Sequence, residues 1–563
     1  MLIESSMNYQ TNQHNQERRK KMGKRRYDYM IALILGLSLS LCSLLPAQTK
    51  DLPKERLVPE ITFINASPAY DPKKYEAANL ITKNWEQLGI KVNMVTLDFT
   101  PLYDRIQKKT DWDAFVCGWA ARSERIDPDA FLYMLFKTGE ITNLMRYSNP
   151  EVNKLLEMQR QEVDLNKRKD MVYKIQEIVA REIPSVTFFH LYTNQFYNQQ
   201  RFSDCTPTVE GLINIWSMKQ MKPISGDGFL KIAHIADIDT LNPMAAKHWE
   251  KESPLPMIYD RLAILDNTGK SVPSVAESWK AVDNKTYDVT IRKDIKFHDG
   301  KPLTAEDVKF SYDFQKEWEV EYLSRYVKKI REVQVLDPHK VRFKLEEPYA
   351  PFTTVIFNLT SILPKHIWQD VVKRENVKRP QDWPNPNPIG SGAFKFVYWR
   401  RGEEFKLVRN NDYFDPPKMA GYIQHNYSHH DAVLLALDKG EADINYIAFL
   451  PSHAEEAKKI KHLKDISVPT IRLDHLGFNC QNPPFKRVEL RQALSHTIDY
   501  DKIVQTILMG KGIPGRSVIA PSNTFWFNPN QKFYEFNMEK AKKILKDAGY
   551  EWGPDGRLYY PAK

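Results

Sequence analysis

Apolar and polar positions change period several times along the 563 residues, and the changes divide the chain. Between residues 58 and 220, short apolar runs alternate with helical patterns. "EITFINAS" (60–67), "IKVNMVTL" (90–97), "DAFVCGW" (113–119) and "SVTFFHL" (185–191) predict strands. The spacing predicts helices over 75–88, stopped by Gly89, over 101–108 and over 166–181. Such alternation predicts an α/β layer with a largely parallel sheet, in which function gathers at strand ends.

From residue 228 the texture becomes short β segments and turns. "TYDVTIRKDIKFHDG" (286–300) and "REVQVLDPHKVRFKLEEP" (331–348) read as strands, the latter folded at Asp337-Pro338-His339. "GAFKFVYWRRGEEFKLVRN" (392–410) reads as a hairpin around Arg401-Gly402. From 473 the α/β pattern returns with a strand in "DHLGFNC", a helix over 489–509 and another over 538–548. That last helix carries Ala541, Ile544, Leu545 and Ala548 on one face and stops at Gly549. After the turn at Pro554-Asp555-Gly556, Arg557-Leu-Tyr-Tyr begins a strand with no room behind it for a partner. No internal repeat is visible.

The composition, 42% hydrophobic and 12% aromatic, supports sizeable cores and two or three packed units. The net charge of +10 raises nucleic acid as a partner, but no basic stripe or reading module accompanies it. Part of the excess sits in the first thirty residues, where seven Lys/Arg face three acids. The apolar run 30–45 and Pro46-Ala47 follow. Sixteen apolar residues fall short of a comfortable membrane span of about 20, so residues 1–47 read as an export signal cut after Ala47. The alternative is a lipoprotein signal at "LSLC", with Cys42 lipidated. The start lies at Met1 or Met22. Cys117, Cys205 and Cys480 remain, an odd number without C-x-x-C, and read as small buried residues.

"SVAESWKAVDNKTYDVTIRKDIKFHDGKPLTAEDVKFSYDF" (274–314) resembles the signature of the extracellular solute-binding proteins of family 5, the oligopeptide- and dipeptide-binding components of ABC importers. "PIGSGAFKF", "LGFNCQNPPFKRVELRQALSHTIDYDKIV" and "MEKAKKILKDAGY" extend the likeness. Blocks that close a family member stand at the front here, as "NWEQLGIKVNM", "DWDAFVCGWAARSERIDPDAF", "RYSNPEVNKLL" and "RKDMVYKIQEIVAREIPSVTFF". The resemblance therefore implies a circularly permuted chain; the alternative is a fusion of two gene pieces.

The implied fold is α/β: a two-lobed periplasmic-binding-protein-like fold of the large peptide-binding subclass, with mixed sheets and a ligand cleft between the lobes. Its parts would be the leader 1–47, a linker 48–57, lobe II first part 58–195, a return and joining linker 196–227, lobe I 228–472 and lobe II second part 473–563. The lobes would be joined by crossing strands, one of them 473–479 and the other after Pro184. Residues 558–560 are expected beside 52–62.

The implied function is capture of a peptide or similar-sized solute and its delivery to ABC permease subunits. The protein would be exported to the periplasm or cell surface and monomeric, with membrane contact only through an anchor at Cys42. It would be neither an enzyme nor a carrier of cofactor or metal. An exported hydrolase and a rearranged product with little function are the competing classes.

Departures from the family pattern bear on the site. Dipeptide- and oligopeptide-binding relatives hold the ligand ammonium with an Asp three residues after the Trp of the "GW" block. Counting from Trp119, that position is Arg122. An Arg that holds the carboxylate two residues before a Tyr is replaced, before Tyr70, by Pro68. A desolvated Arg122 opposes a free amino terminus, so an anionic or neutral ligand group is expected beside it. Alternatively, Arg122 sits on the rim, paired to Glu124 or Asp127. The further candidates are Ser67, Tyr70, Lys247, His248, Trp249, Trp399, Tyr446, Phe478 and Asn479, with core packing an equal reading for each aromatic. "HNYSHHD" (425–431) has metal-like spacing but reads as a helix entry at the surface. No G-x-S-x-G, P-loop or H-E-x-x-H occurs.

Overall fold

Strand and helix alternate from the front of the chain, and the first long helix is bounded at both ends by local signals. In the computed structural model, which describes residues 52–208, 211–246, 253–266 and 268–562, β1 (Ile61–Ala66) leads into α1 (Pro72–Glu86). The Asp71 side chain accepts from the Lys74 backbone N–H at the N-terminus of α1, Pro72 stands in the first turn, and Gly89 follows the helix at φ 79°. Then come β2 (Val92–Leu97), α2 (Phe99–Lys108) and β3 (Ala114–Trp119). The amphipathic α3 (Leu165–Glu182) ends at Ile183, which takes a left-handed conformation before Pro184, and β4 (Ser185–Leu191) follows.

The chain next supplies β5 (Phe196–Asn198), β6 (Phe229–His234), β7 (Ala276–Ala281), β8 (Thr286–Ile291), β9 (Ile330–Asp337) and β10 (Lys340–Leu345). It continues with β11 (Phe394–Arg400), β12 (Glu404–Arg409), β13 (Gly421–Asn426), β14 (Ile444–Asn445), β15 (Leu463–Asp465) and β16 (Leu473–Phe478). α4 (Val488–Ser495), β17 (Gly512–Pro514), α5 (Met538–Asp547) and β18 (Leu558–Tyr559) close it.

The described residues divide into a small unit, 52–58 with 549–562, and a large one, 59–548. In the small unit Tyr559 pairs antiparallel with Glu551 and with Leu57, and the Val58 N–H donates to the Leu558 carbonyl at 2.9 Å.

The large unit is mixed α/β. One six-stranded sheet runs β2-β1-β3-β16-β4-β17 and a seven-stranded sheet runs β11-β12-β13-β6-β14-β5-β15. A four-stranded antiparallel sheet, β7-β8-β10-β9, stands apart from both. The chain passes between the two larger sheets twice, over 192–195 and 466–472. These passages bind each other: the Thr193 N–H donates to the Val468 carbonyl at 2.9 Å, and the Thr470 N–H to the Leu191 carbonyl at 2.9 Å. The second passage precedes 473–479, because β16 is itself an inner strand of the six-stranded sheet.

The helix expected over 489–509 breaks after Ser495. The His496 carbonyl accepts from the Asn537 N–H and the Thr497 carbonyl from the Asn84 side chain, both at 2.8 Å. With those carbonyls engaged elsewhere, Asp499 caps a fresh turn at Tyr500.

Candidate functional site

In the six-stranded sheet β1 pairs in parallel with β2 on one side and with β3 on the other, so the strand order reverses at β1. An open crevice forms at such a switch point, outside the carboxyl ends of β1 and β3. Ser67 and Tyr70 leave the end of β1, and Trp119 and Arg122 stand at the end of β3. Leu473, opposite Trp119, begins β16 there with Arg472 just before it. Register thus brings Ser67, Tyr70, Trp119 and Arg122 together and adds Arg472.

At this edge lies a charge quartet in which Asp71, Lys74 and Asp474 are buried and Arg472 is partly exposed. Lys74 Nζ sits 2.5 Å from Asp71 Oδ2 and 3.4 Å from Asp474 Oδ1. Arg472 grips Asp474 through Nε at 2.7 Å and through a terminal nitrogen at 3.1 Å, and approaches Asp71 at 3.5 Å. Burial disfavours each charge, but the partners win. Asp71 is held well below the usual carboxylate range by Lys74, Lys73 and Arg472, and Asp474 is lowered by Arg472 and Lys74. Lys74 is raised, chiefly by Asp474. All four stay ionised, and the quartet is neutral in sum.

On the other face of β3, the Trp119 indole N–H donates to His475 Nε2 at 3.2 Å, which assigns the His475 proton to Nδ1. Burial pushes His475 down to about 4, so it is neutral, and pushes the Cys117 thiol up to about 11, which leaves it unreactive at neutral pH. The Arg125 guanidinium lies 5.5 Å from the Trp119 ring and donates to the Ala120 carbonyl.

Asp127 is committed to Arg168 at 2.5 and 2.8 Å, and Glu124 faces Arg125 at 3.9 Å. The pairing of Arg122 with Glu124 or Asp127 is therefore absent, and among the described residues Arg122 has no ion-pair partner. The Ser67 hydroxyl donates to Asp98. The Tyr70 ring lies 5.5 Å from Phe99, and Phe99 lies 6.1 Å from Tyr103. Tyr70 and Phe99 are 41% and 50% exposed, an aromatic surface open at the strand ends.

Trp399 and Tyr446 belong to the seven-stranded sheet. There β6 runs parallel to β13 and β14, and Tyr446 follows the end of β14. Gln195, in the first passage between sheets, donates to the Tyr446 carbonyl at 2.5 Å. The carboxyl ends of these strands therefore also lie at the passages, as do those of β1 and β3. Trp399 donates to Asp237 at 3.1 Å under the Arg401 guanidinium, 4.2 Å from its ring. Phe478 and Asn479 lie at the far end of β16, where Phe478 pairs with Ala114 and packs on Trp85 and Phe485. Asn479 is buried and donates to the Trp112 carbonyl. Five residues of strand, about 17 Å, separate them from the Trp119 edge, and both are buried there. Lys247, His248, Trp249 and Cys42 lie outside the described residues. In the 425–431 segment His429 caps the helix that follows, and no cluster among the described residues could hold a metal ion.

Arg472, Asp71 and Lys74 were missed by sequence reasoning, and so were Phe99 and Tyr103. The pattern predicts a helix start at 75; the helix begins three residues earlier, capped by Asp71, and only the sheet register brings that cap to Asp474, 403 positions on.

The sequence model of bacterial extracellular solute-binding proteins, family 5 Middle, matches residues 44–143 and 270–563. The chain belongs to this family. It is 33% identical over 302 residues to the oligopeptide-binding protein AppA of Bacillus subtilis (strain 168), a match covering 52% of this chain and 54% of that protein. It is 28% identical over 319 residues to the dipeptide-binding protein of Escherichia coli (strain K12), covering 53% and 58%. The chain thus spans little more than half the length of the curated relatives it matches. The structure of Bacillus subtilis AppA in complex with a nonapeptide aligns with a TM-score of 0.46 at 30% identity, over 59% of this chain and 66% of that one.

Proposed function

We propose that this family member is an extracytoplasmic solute-binding protein. It captures a peptide or similarly sized solute between the facing edges of its two large sheets and delivers it to an ABC-type permease. The observation that carries this reading is the meeting of both sets of parallel-strand ends at the hydrogen-bonded passages 192–195 and 466–472. A solute held there touches both sheets, and two thin crossings allow the gap to close over it. The binding work needs no covalent step. Residues 1–47 would direct export, with Cys42 the candidate for a lipid anchor, and the protein would act as a monomer. The segments are read as one permuted fold: β16 lies between β3 and β4, so both ends of the chain build one sheet.

The test is thermal unfolding with and without a mixed peptide library, together with mass spectrometry of any solute that co-purifies. A ligand bound only by the folded chain raises the midpoint in proportion to the logarithm of its concentration. A midpoint unmoved by the library, with no co-purifying solute, rejects the reading.

A further inference from the structure

We infer that the captured solute presents an anionic group to Arg122 beside an aromatic side chain seated on the Tyr70–Phe99–Tyr103 surface, an inference that rests on the binding reading above. The charge quartet does not serve as an anchor for a ligand charge, because Asp71 and Asp474 already satisfy Lys74 and the partly exposed Arg472 at 2.5 to 3.5 Å. Glu124 faces Arg125, and Asp98 accepts the Ser67 hydroxyl. Arg122 is the cation at this edge left without an ion pair among the described residues, and it is only partly covered. A guanidinium in that state matches a carboxylate bidentately, and desolvation by a bound solute strengthens the pair.

The ring surface is the second, independent part. Phe99 opens α2 at the end of β2, half exposed, with its ring between Tyr70 and Tyr103. β2, β1 and β3 lie side by side in parallel, and the Ser67 N–H at the end of β1 donates to the Leu97 carbonyl at the end of β2 at 2.8 Å, so the rings that follow β2 and the cation that follows β3 border the same edge. Offset stacking on such rings favours a flat aromatic group over a methyl.

The probes are Ala-Ala-Phe, its C-terminal amide and Ala-Ala-Ala, titrated calorimetrically into the full chain, into Arg122→Gln and into Phe99→Ala. The free acid should bind at least tenfold more tightly than the amide, and Ala-Ala-Phe at least fivefold more tightly than Ala-Ala-Ala. Arg122→Gln should bring the acid-to-amide ratio near one while leaving the Phe-to-Ala ratio. Phe99→Ala should do the reverse. Both side chains are accessible, so the ligand-free midpoints should stay within about 2 °C and report that the variants are folded. Binding that ignores the carboxylate or the ring, or ratios that survive the substitutions, overturns this inference and leaves the binding reading standing. If none of the three probes binds while the peptide library still raises the midpoint, the inference falls alone; if the library fails too, both fall.

Discussion

The quartet under the switch point and a solitary acid elsewhere in the fold show opposite uses of buried charge. Asp474 is fully buried between Lys74 and Arg472, and removing it leaves three cations, Lys73, Lys74 and Arg472, sharing Asp71. Asp474→Ala should lower unfolding free energy by about 3–5 kcal/mol, the usual cost of orphaning a buried charge; a urea midpoint shift of that size checks it. Replacing Lys74 and Asp474 together by Met and Leu should recover part of the loss. Asp260 has no such partner. It accepts from the Tyr413 hydroxyl at 2.8 Å and the Ser391 hydroxyl at 2.9 Å, while Lys219 attracts it from a distance. Burial outweighs these and pushes the carboxyl from its ordinary 3.8 up to about 7. Between those values the folded chain holds more protons than the unfolded one, so this group's contribution is full below pH 4 and declines as pH rises to 7. Asp260→Asn should remove the decline. Relative to the variant, wild type should lose on the order of 4 kcal/mol across that window, at about 1.4 kcal/mol per pH unit; urea melts at pH 4, 5.5 and 7 measure it.

At the scale of elements, the close seating of α1 on β3 depends on one missing side chain. A Cβ at Gly118 would stand 2.4 Å from Asp474 Oδ1 and 2.8 Å from Lys74 Cε. Gly118→Ala should therefore destabilise by about 1–3 kcal/mol and weaken any ligand held at Trp119, read as a lower apo midpoint and a smaller ligand-induced rise. Ala at Gly402, where nothing lies within 4 Å but φ is +78°, should show the lower apo midpoint through backbone strain alone and keep the ligand response. The sequence was legible where one local signal decides. Gly89 stopped α1 as expected, although Asp71 and Pro72 start it three residues before the predicted 75, and the apolar run 113–119 became β3. It was misleading where tertiary bonds override propensity, as at His496 and Thr497, whose carbonyls serve Asn537 and Asn84. For the site, Trp119 was a candidate because strand ends are readable from pattern, whereas Tyr70 and Arg122 were singled out by the family resemblance; the structure puts Ser67, Tyr70, Trp119 and Arg122 at the ends of neighbouring strands. Phe478 and Asn479 looked equivalent, being at the end of a strand too, but β16 runs antiparallel to β3 and carries them away. Arg472 was invisible for the same reason: only pairing brings the start of β16 to the end of β3.

For the whole molecule, the order of segments becomes a matter of covalent convenience if the sheets are set by register. Both termini of the described chain meet in the small unit, where the Tyr560 N–H donates to the Arg56 carbonyl at 2.6 Å and Arg56 pairs with Glu551 at 3.1 Å. Residue 562 can therefore be joined to residue 53 by a short Gly/Ser linker, closing an antiparallel turn between strands already in place. A new opening between Asp227 and Gly228 falls at an exposed turn, with Gly226 and Gly228 at φ of 80° and 78°, just ahead of β6. A chain running from 228 to 562, through the linker, and from 53 to 227 keeps every strand of the three larger sheets whole. It should fold to the same circular dichroism spectrum, melt within about 5 °C of the original order and give the same midpoint rise with the peptide library. Loss of cooperative melting would show that the present order is required for folding. Unchanged melting with a lost ligand response would place the importance of the order in the mobility of the two sheets at their passages.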